Sequence, residues 1–344
     1  MKILIGSYTQ TLSEEIVGQG DGISIYELDE VTRELTCLSS YQLRNPAYLA
    51  LDRDRGIVYV AEELNTDDAP MLFSLSIGAD STLRPLDQKL IKGSLACHIT
   101  YHAGKLFISN YGSGDVIIQS VVDDRFSASR SLIEHIGSSV NEQRQASAHA
   151  HMTSFLNDDR FYVPDLGMDR CVGYRMTADG VEADSDNDFI LPDGEGPRHM
   201  VFSDDNLFAY VIGELTGKVS VFEVETKELV QQIPSLPKYY DGVPSAAAVR
   251  LHPNGRYLYV SNRGINLLTS FEMLEDGLLR LLTYTYLIDH TPREFNISPD
   301  GRFLIVAGQD SHTLSFYSLG ENGEIEFIKT FNNVKSPSCI QFLD

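Results

Sequence analysis

Three stretches of the chain align without a gap: PREFNISPDGRFLIVAGQ (Pro292 to Gln309), PRHMVFSDDNLFAYVIGE (Pro197 to Glu214) and AAAVRLHPNGRYLYVSNR (Ala246 to Arg263). PAYLALDRDRGIVYVAEE from Pro46 and AHMTSFLNDDRFYVPDLG from Ala150 follow the same template. ACHITYHAGKLFISNY from Ala96 fits with a turn two residues shorter, and PSCIQFLD from Pro337 is completed by KILIGSYT at the N-terminus. The units start at 46, 96, 150, 197, 246, 292 and 337, at intervals of 45 to 54 residues. Such a repeat constrains the fold strongly, because one unit cannot bury its own apolar face and must stack on its neighbours. Each unit opens as a strand, an Asp/Asn/Gly turn and an apolar β-branched or aromatic strand. Further strand-like runs such as KVSVFEVET and HTLSFYSLG follow, and no extended helical periodicity competes with them.

Four short strands per period are the pattern of a propeller blade. The sequence therefore predicts an all-β, seven-bladed β-propeller with four-stranded blades, a single domain over residues 1–344. Its ring closes where one C-terminal strand pairs with three N-terminal ones, which removes the open sheet edges. The Trp-Asp repeat version is disfavoured, since the chain has no Trp.

A formal net charge of -22, from 49 acidic and 27 basic residues, argues against nucleic acid and anionic membrane partners, which are bound by dense Lys/Arg surfaces. The apolar run Ile3 to Ile5 is too short for a signal peptide, and no run approaches a membrane span. Cys37, Cys97, Cys171 and Cys339 are far apart, with no C-x-x-C, so neither a zinc site nor a disulfide framework is expected. The expected setting is the cytoplasm.

Positions that serve the fold should look alike in every unit, so departures point to chemistry. At the second position of the first strand the units carry Ala47, Cys97, His151, Arg198, Ala247, Arg293 and Ser338. Small residues suit the crowded axis of a ring, and His151, Arg198 and Arg293 break that rule. A hairpin centred near residue 206 sets Arg198 opposite Glu214. The positions corresponding to Glu214 are Glu63, Gly167, Arg263 and Gln309, with Tyr8 and Tyr111 in the irregular units. His151, Arg198, Glu214, Arg263, Arg293 and Gln309 should then ring one mouth of the central channel. Arginine's planar fork suits carboxylate or phosphate, so the expected ligand is a small anion. His199 aligns with His98, Ala248 and Glu294, and strand alternation should turn it away from Arg198.

These residues carry a resemblance. IGSYT (5–9), HAH (149–151), VPDLGMDR (163–170), GPRHMVF (196–202), GEL (213–215), YVSNRG (259–264) and TPREF (291–295) make the chain similar, over its whole length, to the cytoplasmic lactonase family of seven-bladed propellers. That family includes propeller-type 6-phosphogluconolactonases and carboxymuconate-lactonising enzymes. The resemblance implies that His151, Arg198, Glu214 and Arg263 form the active site. The sequence departs from the family in having Ala248 where an acid is usual, and Glu294 and Gly308 where Asn is commoner.

The expected chemistry is hydrolysis of an anionic sugar lactone. His151 would take a proton from water, Arg198 would stabilise the oxyanion, and Arg263 and Arg293 would hold the anionic tail. Glu214 would orient Arg198 or move a proton. Gln309 lines the same mouth, and Arg144 and Gln143, in the loop SSVNEQRQASAH, could reach over it. HAH without further ligands at metal spacing gives no reason to expect a metal, and no cofactor motif occurs. Two alternatives stay open: lactonisation of an unsaturated dicarboxylate, and a propeller scaffold without catalysis. No G-x-S-x-G or HExxH occurs, which argues against serine-nucleophile and zinc-protease mechanisms.

Overall fold

Short turns convert the repeat into hairpins. Ser203 Oγ donates to Asp205 Oδ1 (2.6 Å) and accepts from Phe208 N (3.0 Å). Ser298, Asp300 and Phe303 repeat that turn at 2.6 and 3.0 Å. The shortened turn places Ala103 and Gly104 at φ 47° and 75°, the two positive angles a tight hairpin demands.

The computed structural model describes residues 1–178, 180–332 and 334–343. These form seven antiparallel sheets, each the blade of a ring. Blade 4 runs Pro197–Phe202, Phe208–Gly213, Lys218–Glu223 and Leu229–Pro234. Blade 1 starts at Tyr48–Asp52, blade 2 at Ala96–His102, blade 5 at Ala246–Leu251 and blade 6 at Pro292–Ile297. Blade 7 joins Pro337–Phe342 to Lys2–Ser7, with Ile5 opposite Ile340, and closes the ring as the sequence predicts. Blade 3 departs from four strands: Phe189–Ile190 adds a fifth beside Arg170–Thr177. The core lies between blades, where side chains such as Tyr210, Val260 and Phe271 are fully buried. Burying one such side chain contributes about 1.5–3 kcal/mol.

One feature recurs in all seven blades. The residue just after the second strand donates its N–H to the carbonyl of a residue just before the first strand. The donors are Tyr8, Glu63, Tyr111, Leu166, Glu214, Arg263 and Gln309, and the acceptors Ser336, Asn45, Leu95, His149, Gly196, Ser245 and Thr291. Tyr8 and Tyr111 thus hold the places the repeat assigns them, whereas in blade 3 the equivalent residue is Leu166 and not Gly167.

Beyond this bond the chain enters the first strand with a kink. Asn45, Leu95, Gly196, Thr291 and Ser336 all have positive φ, from 40° to 62°. An extra residue then bulges from the ladder. In blade 4 Pro197 pairs with Gly213 and His199 with Ile212, so Arg198 has no partner. The expectation that Arg198 faces Glu214 in register is corrected accordingly. Cys97, Arg293 and Ser338 are skipped in the same way in blades 2, 6 and 7. A bulge re-aims a side chain, and in these blades it takes the second position of the first strand out of the ladder's alternation.

In blade 3 the same effect has another cause. Pro164 has no N–H to give, and only Ala150 bridges to Asp165 before regular pairing resumes at Ser154. His151 lies in that break, its N–H bonded to Pro164 O at 2.9 Å.

The VPDLGMDR segment clamps the loop ahead of His151. Asp165 accepts from His149 N (2.7 Å) and pairs with His135 Nδ1 (2.6 Å). Asp169 accepts from Ser139 Oγ (2.5 Å), Gln145 Nε2 (2.8 Å) and Gly196 N (2.7 Å). Gly167 lets the loop close: a Cβ there would stand 1.8 Å from Ser147 O. Gly167→Ala is expected to lower stability by about 1–3 kcal/mol, since backbone must shift to admit the methyl. Urea denaturation checks this, and an unchanged midpoint would contradict the close approach.

Candidate active site

The bulges build a ring of side chains around the axis. His151 and Arg198 from neighbouring blades, with Cys97, are almost wholly buried, and Arg293 is mostly so. The residues after the second strands form a second ring that touches it, Glu214 at Arg198 and Glu63 near Arg293.

Glu214 is the hub of this second ring. Its Oε1 meets Arg144 Nη2 at 2.6 Å, and its Oε2 meets Arg263 Nη2 at 2.9 Å and Arg198 Nε at 3.0 Å. Burial alone would raise the carboxyl's pKa, but Arg263, Arg198 and Arg144 outweigh it and hold Glu214 well below the usual carboxylate range. One carboxylate facing three guanidinium groups leaves a net positive pole in an acidic protein.

Backbone carbonyls hold Arg198 and Arg263. Arg198 Nη1 donates to Ala247 O (2.7 Å) and contacts His199 Nε2 (3.1 Å). Its Nε lies off any hydrogen-bond axis despite the short contact with Glu214. Arg263 donates to Ser245 O and Ala246 O at 3.4 and 3.2 Å. Arg144 is held by the clamped loop and donates to Tyr111 OH at 3.3 Å.

His151 sits one blade away. Its Nδ1 is 3.7 Å from Cys97 Sγ, and the thiol also approaches His151 O at 3.4 Å. Burial first, then the charge of Arg198, pushes the His151 pKa well below the ordinary imidazole value. The imidazole is therefore neutral at physiological pH, and the expectation that it titrates near neutrality does not hold for the free protein. Burial also raises the Cys97 thiol, which keeps it protonated.

Opposite this pole lies a second group. Tyr8 OH donates to Glu63 Oε2 at 2.8 Å, and Arg293 Nη2 stands 3.9 Å from Glu63 Oε1, with its guanidinium over the Tyr8 ring. Gln309 is buried; its Nε2 donates to Asp310 Oδ1 (2.9 Å), while its Oε1 has no hydrogen-bond partner. Beside Arg198, the rings of Tyr48, His98 and His199 pack 4.2 to 6.4 Å apart. Arg250 Nη2 lies 2.9 Å from Tyr48 OH and 3.0 Å from Glu294 Oε1.

The family described as lactonase, seven-bladed beta-propeller, matches residues 2–342. The chain belongs to that family. It is accordingly a lactone hydrolase. The chain is 27% identical to a 6-phosphogluconolactonase of Bacillus subtilis, over 98% of this chain and 97% of that one. An uncharacterized protein of Staphylococcus epidermidis is 32% identical, covering 90% of each chain. A solved structure, the periplasmic gluconolactonase of Pseudomonas aeruginosa, superposes with a TM-score of 0.91 at 28% identity, over 99% of this chain and 98% of that one.

In the lactonase, Arg144, Arg198, Glu214 and Arg263 form one connected group, with His151 one blade away. Arg293 belongs instead to the opposite group, with Tyr8 and Glu63. Gln309 holds the place in blade 6 that Glu214 holds in blade 4. Gln143 is exposed, and His149 stacks on Tyr111 and bonds its carbonyl through Nδ1 (2.8 Å). His199 corrects the sequence reading. The bulge cancels strand alternation, so Arg198 and His199 lie in contact instead of on opposite faces. Glu63, Tyr8 and Cys97 adjoin Arg293 and His151 although their chemistry was not singled out from the sequence. The repeat columns that selected Glu214 and His151 contain all three. No helix among the described residues is long and apolar enough to cross a membrane.

Proposed function

We propose that the lactonase opens an anionic sugar lactone of the 6-phosphogluconolactone class. The observation that carries this reading is the arginine pole around Glu214, one blade from a buried neutral imidazole. Arg144 and Arg263, nearest the mouth, and Arg293 across it hold the substrate's anionic tail. Glu214 stays ionised and orients Arg198, whose guanidinium stabilises the oxyanion as water adds to the acyl carbon. His151 takes the proton from that water. An arriving anion offsets the charges of Arg198 and Arg293, so substrate binding itself raises the proton affinity of His151.

Gln309 supports a hydroxylated substrate. A buried acceptor without a partner favours a ligand that brings a donor, and a sugar hydroxyl supplies one where an unsaturated dicarboxylate does not. The name of the Bacillus relative agrees with this class, and that of the Pseudomonas relative with a sugar lactone bearing hydroxyls. Four free cysteines suit a reducing compartment, and we place the protein in the cytoplasm.

The test is turnover of 6-phosphogluconolactone by wild type and His151→Ala. The variant is expected to lose about 10²–10⁴-fold in kcat. Undiminished activity would remove His151 as the base. Wild type idle on this lactone but active on muconate-type dicarboxylates would replace the reading. The pH profile adds a second check. A base must be neutral to act, and the His151 pKa is depressed, so kcat/KM should stay level as pH falls through about 6.5, the ordinary imidazole value, and decline only at lower pH. A half-maximal point near the ordinary value would contradict the neutral, buried imidazole.

A further inference from the structure

Two carboxyl groups flank the axial ring, and their surroundings differ. Glu63 and Glu214 occupy the same place in blades 1 and 4, each fixed by the same backbone bond, at 2.9 Å to Asn45 O and 2.8 Å to Gly196 O. Three steps apart in a ring of seven, they lie nearly across the channel from each other. Glu214 is gripped by three guanidinium groups within 3.0 Å. Glu63 has a neutral phenol at 2.8 Å and one guanidinium held off at 3.9 Å. Burial outweighs Arg293, Tyr8 and Arg198 and raises the Glu63 pKa, while burial keeps Tyr8 an un-ionised donor. Carboxyl groups whose environments push their proton affinities apart mark a division of labour between acid and ion.

Lactone opening needs such an acid. When the acyl–oxygen bond breaks, the ring oxygen leaves as an alkoxide, a poor leaving group unless it is protonated. We propose that Glu63, oriented by Tyr8 beside Arg293, donates the proton that the ring oxygen takes as the lactone opens. The proposal rests on the lactone-opening reading above. With Tyr8 donating to Oε2, Oε1 is the oxygen left to carry the proton that is transferred, and it lies on the side of Arg293.

The step balances. Water oxygen bonds to the acyl carbon and its proton passes to His151; the bond to the ring oxygen breaks, and Glu63 protonates that oxygen. His151 becomes cationic as Glu63 becomes anionic, so the charge of the site is constant. The imidazolium forms beside Glu214 and the new carboxylate beside Arg293. As the hydroxy acid leaves, His151 returns its proton to Glu63 through solvent.

The test compares wild type, Glu63→Gln and Tyr8→Phe on 6-phosphogluconolactone across pH, with spontaneous opening subtracted. Wild type should lose activity on the alkaline side as Glu63 ionises; the charged or titratable groups facing it are Tyr8, Arg293, Arg198 and Cys97. Glu63→Gln should lower kcat by about 10²–10⁴-fold with KM little changed, and should abolish the alkaline decline. Tyr8→Phe removes a donor that favours the carboxylate, so the decline should move to higher pH. A Glu63→Gln kcat within threefold of wild type, a loss confined to KM, or an unmoved decline in Tyr8→Phe would overturn the role. Tyr8→Phe decides alone if Glu63→Gln does not fold. An active wild type with an unaffected Glu63→Gln sinks only this role, whereas an inactive wild type sinks it together with the proposed function.

Discussion

Arg198→Ala is expected to lower kcat/KM for 6-phosphogluconolactone by about 10²–10³-fold, with most of the loss in kcat. The size follows from the residue's position. Its guanidinium is buried, tied to Ala247 O and His199, and placed against Glu214 by the bulge, so it is aimed before substrate arrives. A preoriented donor in a site shielded from water acts mainly on the charge that develops in the transition state. Arg198→Lys should recover little, because an ammonium cannot satisfy Ala247 O, His199 and Glu214 from one plane. Steady-state kinetics on both variants checks this. An alanine variant with kcat within threefold of wild type would mean that the oxyanion is stabilised elsewhere.

Much of this site was legible in the sequence because a repeat supplies its own control. Small residues at the second position of the first strand made His151, Arg198 and Arg293 conspicuous, and the column after the second strand held Glu214, Arg263 and Gln309. Register was not legible. Alternation assumes an unbroken ladder, whereas the kink and bulge add one residue without a signal in hydrophobic pattern, which is why His199 was assigned to the wrong face. Proton affinity was hidden too, since the depression at His151 arises from burial and from Arg198 on another blade. Glu63 stood in the right column, but its pairing with Tyr8 crosses the seam between the N-terminal strand of blade 7 and blade 1. The roles of Asp165 and Asp169 as loop clamps are long-range in the same way.

The cluster around Tyr48 gives meaning to two departures from the family pattern. The acid missing at Ala248 is present one blade on as Glu294, where it pairs with Arg250. The second large effect is expected here: Glu294→Ala should destabilise the fold by about 3–5 kcal/mol, because it leaves the Arg250 guanidinium without its counter-charge. Glu294 is 1% exposed, so water cannot readily take the carboxylate's place. Replacing both partners, as Arg250→Met with Glu294→Leu, should restore most of that loss, since removing a buried pair together also removes the cost of desolvating it. Urea denaturation of wild type, single and double variants decides the matter. A Glu294→Ala variant within about 1 kcal/mol of wild type would mean that the pair is solvated.

A crystal structure of the protein with 6-phosphogluconate, the hydroxy acid formed when that lactone opens, tests the site itself. The product should lie in the channel mouth, with its phosphate among Arg144, Arg263 and Arg293, its carboxylate beside Arg198 and His151, and a hydroxyl on Gln309 Oε1. Product bound anywhere else on the propeller, with the arginine pole still closed on Glu214, would contradict the assignment of the active site.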